Sequence, residues 1–253
     1  MRVLVGGFGF QGLAAIPFID AATSLLKNLD EIICNGIACL YASILETHSQ
    51  DTAMEYVKTF LKHFKEPLLI FDRLWTRKKG ITKKTKIIEY CTLLSVSESK
   101  YSWKDFEELF QLQGKNTYTK AEGFDLHENS PILIENELTR ILKASVAFPG
   151  LFPPLDDRII STTYLSQIPV SFAKDGDVLL LNFRNVSEYL PKTADEFLAQ
   201  AAEIRAISFA KRIIESKNLK LINAPDVSPE MIDDLSWFKN LRKDYEKALK
   251  EVI

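Results

Sequence analysis

The stretch EIICNGIACLYASIL, residues 31–45, constrains the fold more than any other. Ile32 and Ile33 form an apolar run too short for a helix, which passes through Asn35 and Gly36 into a longer helical-period segment ending near Glu46. That order reads as buried strand, tight turn and helix, the local shape used to display a nucleophile at a strand–helix junction. The apex of this turn is Gly36, where such chemistry would need a Ser or Cys. A similar unit opens the chain: Val3 to Val5 precede the glycine cluster GGFGFQG, and Leu13, Ile16, Ala21, Leu25 and Leu26 then keep helical spacing. The opening is therefore α/β. With 253 residues, 46% of them hydrophobic, the chain can bury a sizeable core as one large α/β domain or as a domain with an appendage.

The alternation continues. Ala53, Tyr56, Val57, Phe60 and Phe64 share one helical face, and PLLIF at residues 67–71 reads as a strand or buried turn. Helices are expected over residues 84–94, 103–112, 136–145 and about 194–216, and NTYTKAEGFDL, PILIE and DVLLLNF read as strands. FPGLFPPL is an extended turn, because its prolines exclude helix interior. NAPDVSPE reads as a linker, with Ser228 as N-cap and Pro229 at the first position of a last amphipathic helix. Met231, Leu235, Phe238, Leu241 and Leu249 form its apolar stripe, opposite a row of basic residues. The expected division is an α/β domain over residues 1–222 and a linker plus helix over 223–253.

A formal charge of −2, from 32 basic and 34 acidic residues, gives no whole-chain reason to bind nucleic acid or a membrane, so such a partner needs a local patch. One patch exists: RLWTRKKGITKKTK contains Arg73, Trp75, Arg77, Lys78, Lys79, Lys83 and Lys84 and no acidic residue. A solvated loop is the commonest reading of such a run. Contact with an anionic membrane surface is next, and no nucleic acid is expected. The N-terminus carries one Arg and only a short apolar run before its glycines, unlike a signal peptide or a membrane span, so a cytoplasmic location is expected, with peripheral membrane association if the basic run binds a leaflet. Cys34, Cys39 and Cys91 are odd in number and lack metal-site spacing, which favours buried reduced thiols. His48, His63 and His127 are scattered, so neither metal nor cofactor is expected.

GFGFQG, Gly7 to Gly12, fits the G-x-G-x-x-G pattern for phosphate. A dinucleotide fold also needs an acid at the end of the second strand. Here Asp30 and Glu31 precede that strand and Cys34, Asn35 and Gly36 end it, which leaves nucleotide binding a distant third reading.

Three separated blocks together resemble the patatin-like phospholipase family. In that family a Gly-Gly-Gly-x-Arg-Gly loop supplies oxyanion-hole amides, a Gly-x-Ser-x-Gly elbow carries the nucleophile, and a later Asp-Gly-Gly/Ala supplies the catalytic Asp. GGFGFQG stands in the place of the first, with Gln11 where the family has arginine and Phe8 where it has glycine. CNGIACLYASIL stands in the place of the elbow, with Cys34 and Ala38 at the flanking glycine positions. ASVAFPGLFPPL matches the family's Ala-Ser-x-x-x-Pro-x-x-Phe-x-Pro block, and the following IISTTYLSQIPV sets Ser161, Thr162 and Thr163 against Asp-Gly-Gly.

The resemblance implies a three-layer α/β/α patatin-like fold with a mostly parallel central sheet and a C-terminal helical extension. It also implies an oxyanion-type loop at Gly7, Phe8, Gly9 and Phe10, and dyad positions held by Gly36 and Ser161. No catalytic dyad is intact. The expected function is that of a pseudoenzyme that binds a lipid or fatty acyl ligand or regulates a protein partner, such as a catalytic paralogue. The alternative is an active lipid acyl hydrolase with a relocated nucleophile, for which Cys34 and Ser161 are the candidates. Cys34 is expected to point into the sheet, and Ser161 has no base beside it in sequence. Asp156 and Asp157 read as solvated charges, and Phe8 and Phe10 as either pocket lining or filler. Gly36 is expected in a sparsely allowed backbone conformation that glycine adopts at little cost.

Overall fold

The computed structural model describes residues 1–7, 9–25, 29–64, 99, 101–148, 151–183, 194–227, 231 and 236–252. In chain order the elements are β1 (Arg2–Val5), a 3-10 turn (Gly9–Ala14), α1 (Ala15–Leu25), β2 (Glu31–Cys34), α2 (Gly36–Thr47), α3 (Gln50–His63) and α4 (Trp103–Leu109). They continue with β3 (Lys115–Asp125), β4 (Ser130–Glu137), α5 (Leu138–Val146), β5 (Ile159–Ser161), α6 (Thr163–Ser166), β6 (Val178–Leu181), α7 (Ala194–Glu215), β7 (Lys220–Asn223) and α8 (Trp237–Val252). The sheet order is β4-β3-β2-β1-β6-β7, with β5 also paired to β3. Strands β3, β2, β1, β6 and β7 run parallel, while β4 and β5 are antiparallel to β3.

The two-residue period of the strands sorts their side chains between two cores. Val3, Val5, Ile32 and Cys34 face a large cluster built with residues of α1, α2, α3, α5 and α8, whereas Leu4, Ile33 and Leu179 face a smaller one with Ile168, Val170 and Ala210 of α7. Helices therefore cover both faces of a mostly parallel sheet, a three-layer α/β/α arrangement.

The C-terminal helix starts at Trp237, so Met231 lies before it. It packs on the domain through Phe238, Leu241 and Leu249 of the expected stripe, together with Tyr245, which lies outside that stripe. Tyr245 and Leu249 are buried, the Tyr245 ring meets Phe18 edge-on at 5.4 Å, and the Tyr245 hydroxyl donates to the Ala14 carbonyl at 3.1 Å. Arg242 adds a bond to Ser24 at 3.0 Å. The Pro-rich block forms no regular element at residues 151–154. Its Phe152 is buried and stacks on Trp103 at 5.2 Å, tying α4 to the core.

Two boundaries differ from expectation. Asn136 does not open a helix: it lies in β4 opposite Asn116 with a φ of 74°, and α5 starts at Leu138. Asn tolerates this left-handed region better than most residues, so the strand can turn sharply into the helix there. The helix from Trp103 ends at Leu109 rather than Leu112. The expected elements at residues 67–71 and 84–94, together with Cys91, Ser228, Pro229 and Leu235, lie outside the described residues.

The far end of α2 is joined to β3 by one carboxylate. Glu46 accepts from the Asn116 side chain at 3.0 Å, from the Thr117 amide and hydroxyl, and from the amides of Tyr118 at 3.1 Å and Thr119 at 2.9 Å. Burial pushes the Glu46 carboxyl up, but these donors outweigh it and hold the group below the usual carboxylate range. The β3–β4 register shifts between Asn116 and Ala121, so Glu46 satisfies backbone amides where the regular ladder is interrupted. Among the described residues no helix is long and apolar enough to cross a membrane.

Candidate functional site

The parallel strands β1 and β2 end side by side, with Val5 opposite Cys34. Beyond Val5 the chain enters the glycine loop, and beyond Cys34 it passes through extended Asn35 to Gly36, whose φ is +59° and which opens α2. A left-handed residue between a buried strand and a helix is the geometry of a nucleophile elbow. A Cβ on Gly36 would lie 2.8 Å from the Gly7 carbonyl oxygen, and 3.4 and 3.6 Å from Cγ2 and Oγ1 of Thr163. The apex is thus enclosed by the glycine loop on one side and the β5–α6 turn on the other. Gly7 is equally tight, since a Cβ there would meet the Asn182 amide nitrogen at 2.5 Å and the Gly12 Cα at 2.7 Å.

Gly36 and the three residues set against Asp-Gly-Gly come together at this edge of the sheet. Ser161 is fully buried and its hydroxyl shares a hydrogen bond with that of Thr163. The Thr162 hydroxyl donates to the Glu122 carbonyl at 2.9 Å and accepts from the Asn35 amide at 3.2 Å. A serine acts as a nucleophile when a base removes its proton, and the recorded side-chain partner of Ser161 is another hydroxyl. The histidines are elsewhere: His48 caps the end of α2 beside Thr47, His63 lies against Phe64 and Tyr101, and His127 sits in the β3–β4 turn.

Cys34 is buried and its thiol donates to the Lys120 carbonyl at 3.3 Å. Burial pushes that thiol well above its ordinary value, the reverse of what a reactive cysteine needs. Cys39 is buried inside α2, 3.8 Å from the Ser43 hydroxyl. Asp156 and Asp157 are exposed, both with φ above 50°, and form the tip of a tight turn between Leu155 and Ile159, where Asp156 pairs with Arg140. The Glu122 carbonyl accepts from the Thr162 hydroxyl and amide at this edge, while its carboxylate accepts from the Ser171 amide and hydroxyl.

In the glycine loop, Gly7 is buried and Gly9 is partly exposed. The Phe10 side chain is fully buried in the main core and so fills space rather than lining an opening. Phe8 lies outside the described residues. Gln11, where the resemblance has an arginine, is buried. Its side-chain amide donates to Asn182 at 2.7 Å and to the Pro225 carbonyl at 2.9 Å, and its oxygen accepts from the Val227 amide at 2.9 Å. Asn182 in turn donates to the Gly6 and Gln11 carbonyls at 2.6 and 3.0 Å. This amide pair ties the loop to the end of β6 and to the segment leading toward α8.

Asn182 is the site-forming residue that sequence reasoning passes over, because a single Asn at the end of DVLLLNF looks like an ordinary strand terminator. Glu122 is missed for a similar reason, lying in an alternating strand where a charge suggests a solvated face. The basic positions Arg73, Trp75, Arg77, Lys78, Lys79, Lys83 and Lys84 are outside the described residues. Among the described residues no group of His, Cys, Asp and Glu is arranged to hold a metal ion.

Fold and site define a three-layer α/β protein with an elbow-type turn that carries glycine at its apex. No protein-family model matches the sequence, and no curated protein matches it. Among solved structures the chain is similar to the crystal structure of VipD from Legionella pneumophila, with a TM-score of 0.43 and 12% sequence identity. That match covers 99% of this chain and 66% of the other, so the chain spans slightly less than two thirds of that protein's length.

Proposed function

We propose that this chain is a patatin-like α/β protein whose hydrolytic dyad is missing, and that it acts without catalysis as a lipid-binding or partner-regulating protein. The observation that carries this reading is Gly36. Its φ of +59° keeps the backbone shape of an elbow, and the Gly7 carbonyl stands 2.8 Å from where a side chain would begin. Oxyanion stabilisation requires donors aimed at the reacting centre. A carbonyl in that place is an acceptor, which disfavours both a nucleophile and the anion it would generate. The glycine loop, the apex and residues 161–163 meet beyond the C-terminal ends of β1 and β2, the edge where open parallel sheets bind ligands. The hydrolase alternative would need Ser161 or Cys34, and both are fully buried.

The basic run supplies the membrane arm of the proposal, since each Lys or Arg near an anionic leaflet contributes about 1 kcal/mol. A cytoplasmic protein held peripherally at the membrane would use it in this way. The test pairs two measurements. Purified protein should hydrolyse neither p-nitrophenyl esters nor phospholipid above buffer, yet should sediment with vesicles containing anionic lipid in a salt-sensitive manner. Lys78, Lys79, Lys83 and Lys84 changed together to Glu should release it. Turnover that survives repurification and disappears in Ser161→Ala or Cys34→Ala would overturn the noncatalytic part. Sedimentation unchanged by the four substitutions would overturn the membrane part.

A further inference from the structure

α7 carries apolar side chains on two sides. Ala206, Ile207 and Ala210 are buried, and Ile213 and Ile214 pack against the smaller core, so this side covers Leu4, Ile33 and Leu179 of the sheet. Ile204 and Phe209 do not join it and remain 47% and 45% exposed. A single exposed apolar residue is ordinary on a protein surface. Here they are not scattered: of the four large apolar side chains exposed among the described residues, Ile204 and Phe209 belong to α7 and Leu221 to the edge strand β7. Leu221 pairs in register with Leu179, which places it on the sheet face that α7 covers.

The same helix sets cations around these residues. Arg205, Phe209 and Arg212 follow one another at spacings of four and three, a single stripe of a helix, so Phe209 has a guanidinium about one turn away on either side. Ile204 and Lys211 share the neighbouring stripe. From residue 204 to its end α7 holds these three cations against one carboxylate, Glu215. Arg205, Lys211 and Arg212 are exposed, and none of them forms an ion pair with a described residue. On the opposite face of the sheet α8 also exposes lysines, at positions 239, 243, 247 and 250, but no large apolar side chain is exposed among them. The pairing of free cations with exposed apolar groups is a property of α7.

We propose that this outer face of α7 lies on an anionic lipid leaflet, with Arg205, Lys211 and Arg212 on lipid phosphates and Phe209 and Ile204 entering the boundary between headgroups and acyl chains. The inference rests on the membrane part of the reading above and names the described residues that touch lipid. A guanidinium presents a planar fork of donors that matches two phosphate oxygens, and a helix in the plane of the interface buries its apolar residues between such contacts. A protein partner fits this face less well. Ile204, Phe209 and Leu221 are each already more than half covered, and together they fall well short of the about 800 Å² that each side of a stable protein interface contributes. Lipid needs no such area, because its affinity is the sum of separate charge and insertion contacts.

The full chain titrated with phosphatidylcholine vesicles, with and without phosphatidylserine, tests this surface. Wild type should bind the vesicles that contain phosphatidylserine. Arg205→Gln combined with Arg212→Gln should weaken that binding about thirtyfold and reduce its dependence on salt. Phe209→Ser should weaken it about tenfold by the same factor at low and physiological salt, since the lost contact is apolar. All of these side chains are exposed, so each variant should keep the wild-type Tm. In Phe209→Trp the emission added to that of wild type should shift to the blue on the anionic vesicles. Binding released by the four lysine substitutions at 78, 79, 83 and 84 but unchanged by those in α7 would overturn this surface and leave the membrane reading standing. Wild type that ignores the anionic vesicles would overturn both. Self-association of the chain that disappears in Phe209→Ser would give the face to a second copy and overturn the lipid contact.

Discussion

The two ends of α2 solve the same problem, a helix terminus meeting a sheet, by opposite means. At Gly36 the junction is made of backbone: two glycines let a carbonyl, a strand end and a helix start approach closer than any Cβ allows, and the surrounding polar groups are neutral hydroxyls and amides. At Glu46 it is made of charge, one half-exposed carboxylate receiving the amides of Thr117, Tyr118 and Thr119. An elbow that performs acyl transfer would need the second kind of chemistry at the first place. The two ends thus differ in what satisfies them, neutral hydroxyls and amides around Gly36 and a carboxylate at Glu46.

The largest expected effect tests the backbone end. Gly36→Ser places a side chain at φ +59°, costing about 1–3 kcal/mol, and drives its Cβ into a main-chain oxygen, adding overpacking of about 1–3 kcal/mol. Thermal denaturation should show a clear drop in Tm without any gain of esterase activity. A Gly36→Ser protein as stable as wild type would mean that the apex is not closed by Gly7.

Next is Gln11→Ala, which leaves the Asn182 oxygen and the Val227 amide without their buried partner and should cost about 2–3 kcal/mol. The loss should be specific. Proteolysis ought to cut near residues 224–227 before it cuts α2, whereas cleavage equally distributed along the chain would show that Gln11 supports the fold only in a general way.

What was legible in the sequence follows the same division. Strand, glycine turn and helix at residues 31–47 could be read because hydrophobic period and the glycine position are local properties, and the turn at Leu155 to Ile159 could be read from its prolines and paired aspartates. Tyr245 on Ala14, Gln11 on Val227, Asn182 on Gly6 and Glu46 on Thr119 could not, because each joins segments far apart in sequence and each residue taken alone looks like solvated surface. Asn136 marks the boundary between the two cases. Its apolar neighbours keep helical spacing, yet the pairing with Asn116 across β3 and β4 holds it in the strand.

A smaller effect sharpens the charged end. Glu46→Gln keeps the shape but weakens bonds to several amides, and because the site is half-exposed water takes over part of the loss, so about 1–2 kcal/mol is expected at neutral pH. Its folded value is lowered, so the stability it provides is present above the ordinary value of 4.5 and is lost as pH falls through the folded value. Wild type should therefore weaken in acid more steeply than Glu46→Gln, the two curves converging at low pH. Parallel curves in urea titrations from pH 3 to 7 would assign the acid limb to other carboxylates.

The smallest effect is the one that bears most on chemistry. Ser161 is the hydroxyl that the resemblance sets in place of the dyad's acid, and its partner is the Thr163 hydroxyl rather than a base. Ser161→Ala removes one neutral hydrogen bond, for which about 1 kcal/mol is typical, and the Thr163 hydroxyl can rotate toward other acceptors, so the shift in Tm should be a few degrees at most. If the elbow end is architecture alone, hydrolysis of p-nitrophenyl esters should stay at the buffer rate in wild type and variant alike, and vesicle binding should not change. A loss of activity in Ser161→Ala with Tm preserved would break the contrast between the two ends of α2, because a buried hydroxyl that matters to turnover but not to stability must act on substrate.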